Sequence, residues 1–224
     1  MVPTRERFEE FIALEKTVMS SIPTFHPWYN DVVEKYETHG TSHHDFKVHL
    51  KNGKMVLFQI QITDYGNKKS GYCRYHDVRL DLISSFDPFT EEGRAKYHDF
   101  SWRWKTLKNV NELEDFDKLC KVSKWGKLKT CDAEIFIFCV AKMSGRGTNK
   151  KIEKIHLINI FDNEKLKENC DYFVNTYGVK INHKQKEPWG SAFVPVDESD
   201  LVLNSCSIND KDTFLQCVGR KTCP

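Results

Sequence analysis

No segment of this chain approaches the roughly 20 consecutive apolar residues that a membrane-spanning helix requires, so a membrane partner is not expected. No charge of one sign dominates either. Lys and Arg total 34 against 32 Asp and Glu, a formal +2, so bulk electrostatics make no case for nucleic acid and only local patches can. The eight cysteines (73, 120, 131, 139, 170, 206, 217 and 223) include no C-x-x-C pair, which argues against a standard zinc site. Met1-Val2-Pro3-Thr4-Arg5-Glu6 opens a charged amphipathic helix without an apolar leader core. The expectation is therefore an intracellular, cytoplasmic protein with reduced thiols. Gly145-Arg146-Gly147 lacks the spacing and the Gly-Lys-Ser/Thr ending of a phosphate loop. No G-x-S-x-G elbow supports a serine triad. Internal repeats and low-complexity stretches are missing too.

What is present suits one substantial core. The 224 residues are 39% hydrophobic and 29% charged, ordinary for a globular chain that need not divide into two domains. A single domain over 1–224 is expected, with an insertion around 87–130 and a C-terminal tail over 204–224.

The most informative stretch is Asp45 to Asp64, D-F-K-V-H-L-K-N-G-K-M-V-L-F-Q-I-Q-I-T-D. Two β-rich runs flank Lys51-Asn52-Gly53-Lys54, a hairpin signal. A one-residue slip would send every side chain to the other face. A two-residue Asn-Gly loop would set Phe46, Val48 and Leu50 beside Gln59 and Gln61. A three-residue loop with Gly53 in the left-handed bulge position instead gathers Phe46, Val48, Leu50, Val56, Phe58, Ile60 and Ile62 on one face. This second register is expected. It leaves Asp45, Lys47 and His49 opposite Gln59, Leu57 and Met55, with Gln61 and Thr63 beyond.

Elsewhere the periodicity predicts a helix over 4–20, with Phe8, Phe11, Ile12, Val18 and Met19 at helical spacing, and a second helix from Pro27 to Tyr36 after Ile22-Pro23. Thr38–His44 reads as a polar loop with three histidines, and metal binding there lacks a matching Cys/His spacing. A loop rich in Gly and Lys, Tyr65–His76, leads into the strand Asp77–Ser84, where Arg79 and Asp81 mark a polar face. Trp102 and Trp104 interleave with Arg103 and Lys105 in the insertion, a pattern shared by stacking platforms and by ordinary core cover. Lysines 118, 121, 124, 127 and 129 make the run before Cys131 basic. Cys131–Val140, apolar without a break from Ile135 to Val140, is expected as a central strand buried on both faces. A strand over 155–160, a helix from Asp162 to about Tyr177 stopped by Gly178, a strand over 191–196 and a short docked helix near Phe214, Leu215 and Val218 complete the pattern.

Asp45, the hairpin, Asp81 and the Asp132–Val140 strand together resemble the PD-(D/E)XK, restriction-endonuclease-like nuclease superfamily, over about residues 5–200. The resemblance implies an α/β (α+β) fold with a mixed sheet flanked by helices. In that superfamily an Asp on one strand and Glu-x-Lys on the next bind magnesium and activate water. Here Gln59 stands where the second acid belongs and Gln61 where the lysine belongs. The implied metal set is Asp45, Asp81 and the Gln59 carbonyl, with Lys47 as a relocated lysine and magnesium as the ion. Lys68, Lys69, Arg74 and Arg79 are the expected phosphate contacts on DNA, and a homodimer is compatible. Both glutamines are expected on an accessible face, so that Glu and Lys there would bury no charge. Two classes stay open: a divergent metal-dependent DNA endonuclease, and an inactive nuclease-fold protein that binds DNA or serves as an interaction module. A virus- or mobile-element-encoded interaction protein without a nucleic-acid role is a third.

Overall fold

The computed structural model describes residues 5–39, 44–65, 77–87, 121–145, 149–183 and 190–220. It is a mixed α/β protein with two sheets. The chain divides into two compact units, the first from residues 1–75, 132–163 and 205–224, the second from residues 76–131 and 164–204.

The first unit opens with α1, Arg5–Phe25, followed by α2, Tyr29–Val32. Helix α1 continues through Pro23, where the missing N–H removes only one bond near the helix end. Its buried stripe is Leu14, Val18, Met19 and Ile22, whereas Phe11 is half exposed. The expected helix to Tyr36 stops at Val32. The chain turns instead into strand β1, Val33–Thr38, which pairs antiparallel with β2, Phe46–Leu50. Pairing with β2 outweighs the local helical pattern, since Tyr36 packs edge-on against Phe46 from the strand.

Strand β3, Met55–Asp64, completes the hairpin. Phe46 faces Phe58, Val48 faces Val56 and His49 faces Met55. Gly53 has φ +83° and its N–H donates to the Leu50 carbonyl at 2.9 Å. The register is the three-residue-loop one, as the alternation required. β3 then pairs in parallel with β6, Ile135–Ser144, which pairs antiparallel with β7, Lys151–Asp162. The sheet order is β1-β2-β3-β6-β7. One face carries Phe46, Val48, Phe58, Ile60, Ile137 and Ile160 into a core shared with α1 and the C-terminal helix. At about 1.5–3 kcal/mol for each fully buried large side chain, this face supplies most of the unit's cohesion. Residues 135–141 of β6 are buried on both faces, as the continuous apolar run foretold.

The second unit holds β4, Asp77–Asp87, β5, Lys121–Trp125, and α3, Lys127–Thr130. After β7 the chain forms α4, Asn163–Glu168, and α5, Cys170–Tyr177. The single expected helix is thus interrupted at Asn169, and Gly178 ends it with φ +68°. Strands β8, Lys180–His183, and β9, Gly190–Asp197, join β4 and β5 in the order β5-β4-β9-β8. β9 runs through Pro195, which is partnered by Arg79 of β4 but lies beyond the residues 190–193 that pair with β8, so the strand is an edge there. Helix α6, Glu198–Leu203, is capped by the Asp197 carboxylate. Helix α7, Lys211–Gly219, returns to the first unit's core with Phe214, Cys217 and Val218 buried. Part of the expected insertion is therefore integral to the second sheet. The helix expected from Val110 or Asn111 to Leu119, and Trp102 and Trp104, lie outside the described residues.

Candidate functional site at the open end of the hairpin

Strand β2 ends at Phe46, but β3 continues, so the next ladder donor on that side, Ile60 N–H, has no backbone partner in β2. Asp45 fills the gap. Its Oδ2 accepts from Ile60 N at 2.8 Å and from the Gln59 amide Nε2. Its backbone is held as well: Asp45 N donates to the Phe58 carbonyl and its own carbonyl accepts from His39 N, both at 2.8 Å. Gln59 is 1% exposed and its Nε2 also reaches the Ile60 carbonyl at 3.3 Å. The amide must present its NH₂ to Asp45, because a carboxylate only accepts. A half-buried carboxylate is tolerable when charge-assisted donors meet it. Asp45 and Gln59 thus stand opposite one another as the register predicts, locked by hydrogen bonds.

Three further groups share this end. His44 is buried, and its Nδ1 lies 3.0 Å from Asp132 Oδ1, which orients the imidazole. His39 stacks on His44 with ring centroids 4.5 Å apart. Loss of solvation, then the nearby Lys47 ammonium, holds His39 below the ordinary histidine pKa. Glu134 clamps the parallel pairing: its Oε2 accepts from Leu57 N at 2.7 Å while its own N donates to the Leu57 carbonyl at 2.9 Å. The sequence placed Asp132 and Glu134 only within Cys131–Val140, expected as a central strand. It gave no sign that His44 and Asp132, 88 residues apart, would meet.

The other expected site residues distribute as follows. Lys47 is half-buried on β2, opposite Leu57 in β3 and Glu37 in β1. Gln61 is half-buried on β3 beside Phe138 of β6. The expectation that both glutamines are accessible is corrected at Gln59, whose burial follows from its bond to Asp45. The strand beside the hairpin is β6, and the expectation that the Asp81 strand runs there is corrected. Asp81 lies on β4, in the second sheet. Its Oδ2 accepts from Ser84 Oγ at 3.1 Å and, at 3.4 Å, from Lys127 N at the start of α3. Arg79, also on β4, holds its guanidinium 5.3 Å from the Phe193 ring centroid, a cation–π contact. Lys68, Lys69 and Arg74 lie outside the described residues, as does His43.

Among the described residues, no group of three or more His, Cys, Asp or Glu side chains is placed to hold a metal ion. Among them, too, no helix is long and apolar enough to cross a membrane. Chemically, the hairpin end offers the Asp45 carboxylate held by Ile60 N and the Gln59 amide, the His44 imidazole oriented by Asp132 with His39 stacked on it, and the nearby Lys47 ammonium. No protein-family model, curated protein or solved structure matches the chain.

Proposed function

We propose that this chain is a DNA-binding protein on a restriction-endonuclease-like layout that has lost cleavage. The observation that carries this reading is the Gln59 amide donating to the Asp45 carboxylate. Magnesium binding there would need negative oxygens facing a common point. An amide that donates to Asp45 satisfies the acid without a cation, and one full ligand charge is missing. DNA as partner rests on the layout and on the basic positions Lys68, Lys69, Arg74 and Arg79.

The test is a fluorescently labelled duplex titrated with protein in EDTA and in magnesium, with the same reactions resolved on a denaturing gel. Binding of similar strength in both conditions, with intact strands, is expected. Magnesium-dependent cleavage that disappears in Asp45→Ala would overturn the loss of catalysis. No binding in either condition would overturn the DNA assignment.

A divergent magnesium-dependent endonuclease is the second reading. The oriented His44–Asp132 pair and Lys47 favour it, because they could supply a base and a cation at the hairpin end. It requires that cleavage fall in Lys47→Gln as well as in Asp45→Ala.

A further inference from the structure

Residues 118–131 contain no acid, and Lys121, Lys124, Lys127 and Lys129 fall within ten residues of a chain whose total charge is only +2. The structure gives this run a fixed shape. Lys121 and Lys124 are exposed on β5, and Lys129 is exposed on α3, with Lys127 half-buried between them. Gly126 joins the two elements while lying against β4. A Cβ there would come within 2.5 Å of the Asp81 carbonyl oxygen, and Gly126 N donates to the Leu82 carbonyl at 2.8 Å. Lys127 N is anchored by Asp81 Oδ2. Lys129 Nζ sits 4.0 Å from the Trp125 ring centroid, a contact that steers the ammonium while keeping its charge. The lysines are therefore presented on a backbone that is ordered before any partner arrives, which lowers the entropic cost of engaging one.

We infer that the β5–α3 segment is a phosphate-backbone contact surface for duplex DNA. Charge complementarity sets the partner. Five residues of strand extend about 16 Å, a length over which one DNA strand places about five phosphates at 3.4 Å of axis each. Lysine suits such a contact because it acts as a point charge without demanding one geometry. The contacts carry no base information, so binding through them is independent of sequence. Lys127 is half-buried, which makes the exposed Lys121, Lys124 and Lys129 the main contributors. This inference rests on the DNA reading above and adds to it the surface that holds the backbone.

The experiment measures duplex affinity by anisotropy across a salt titration. It uses the full chain and a variant with all four lysines changed to glutamine. Each lost phosphate contact removes about 0.9 from the slope of log K against log salt. A slope shallower by about 3 and affinity at least about tenfold weaker at moderate salt are expected, equally for unrelated duplex sequences. A Lys→Arg version of all four should keep both slope and affinity. Should the quadruple glutamine variant fail a circular dichroism check, Lys124→Gln with Lys129→Gln replaces it, with an expected slope change of about 2. Parent-like slope and affinity in a folded glutamine variant would overturn this surface while leaving the DNA reading intact. A parent that binds no duplex would overturn both.

Discussion

At position 59 an amide and a carboxylate are not interchangeable, because the side chain is 1% exposed and its Nε2 donates to Asp45. Replacing Gln59 with glutamate puts a buried carboxyl group in contact with the half-buried Asp45 carboxylate. Burial and the neighbouring carboxylate both disfavour ionisation, so the new group's folded pKa rises above its unfolded value of about 4.3. Below that unfolded value both states hold the proton. A protonated carboxyl at position 59 can still donate a hydrogen bond to Asp45, so the linked cost is absent there. The cost grows as pH climbs from the unfolded value towards the raised folded pKa, where the native state must keep a proton that the unfolded chain releases. A rise of about two units corresponds to about 3 kcal/mol. The expected result for Gln59→Glu in urea unfolding is a loss of about 2–3 kcal/mol at pH 7.5 and a much smaller loss at about pH 4.5. Equal losses at the two pH values would show that residue 59 is not coupled to Asp45. For the same reason, restoring Glu-x-Lys at residues 59 and 61 is expected to strain the hairpin before it restores chemistry.

Among the elements, α7 shows how a terminal segment is secured. Asp210 caps its start by accepting from Thr213 N at 2.9 Å and Oγ1 at 2.7 Å, and those bonds hold the Asp210 carboxyl below its usual pKa. Its end is tied by Arg220 Nη1, which donates to Asp162 Oδ2 at 2.8 Å. The Asp162 side chain is only 4% exposed while that of Arg220 is 44% exposed. Removing the arginine leaves a buried carboxylate without its counter-charge, a penalty reduced by the solvent around Arg220. Arg220→Ala is expected to cost about 1–2 kcal/mol, read as about five- to thirtyfold faster hydrogen exchange in residues 211–219. Cys217 reports the same docking. Burial, then Asp162, pushes its thiol up to about 12, and burial pushes Cys139 up to about 12 and Cys170 to about 11. All three should resist alkylation near pH 8 in the native protein, with Cys217 the first to react in Arg220→Ala. Unchanged exchange and labelling in that variant would remove the ion pair from the account of α7.

Over the whole molecule, the first unit is assembled from three separate chain segments. Its core takes Ile208, Phe214, Cys217 and Val218 from the last of them, and Ile208 N donates to the Ile160 carbonyl at 2.8 Å. At about 1.5–3 kcal/mol for each large buried apolar side chain, these residues rival the total stability of an ordinary domain, about 5–15 kcal/mol. A chain ending at residue 204 is expected to lose cooperative thermal unfolding by near-ultraviolet circular dichroism. A sharp, parent-like transition in that truncation would show that the sheet stands without α7.

The hairpin was legible from its residues because Gly53 and a strict apolar alternation act locally: only one register puts seven apolar side chains on one face, and that register sets Asp45 against Gln59. The buried strand was legible for a similar reason in its apolar part, Ile135–Val140, since such a run sits with both faces covered; residues 131–134, expected to belong to it, precede β6. The helix expected over Pro27–Tyr36 was not, because Val33 and Tyr36 suit either period until β2 offers them a ladder. Period-two patterning states which face a side chain takes, never which strand lies alongside. It therefore left open that β6 would flank β3, that Asp81 would join a second sheet, and that His44 would meet Asp132. The burial of Gln59 was decided in the same way, by a hydrogen bond that forms only once the strands are paired. Local sequence determined the register and the amphipathic faces; the long-range pairing, where loop entropy is weighed against burial, decided which of those residues share a site.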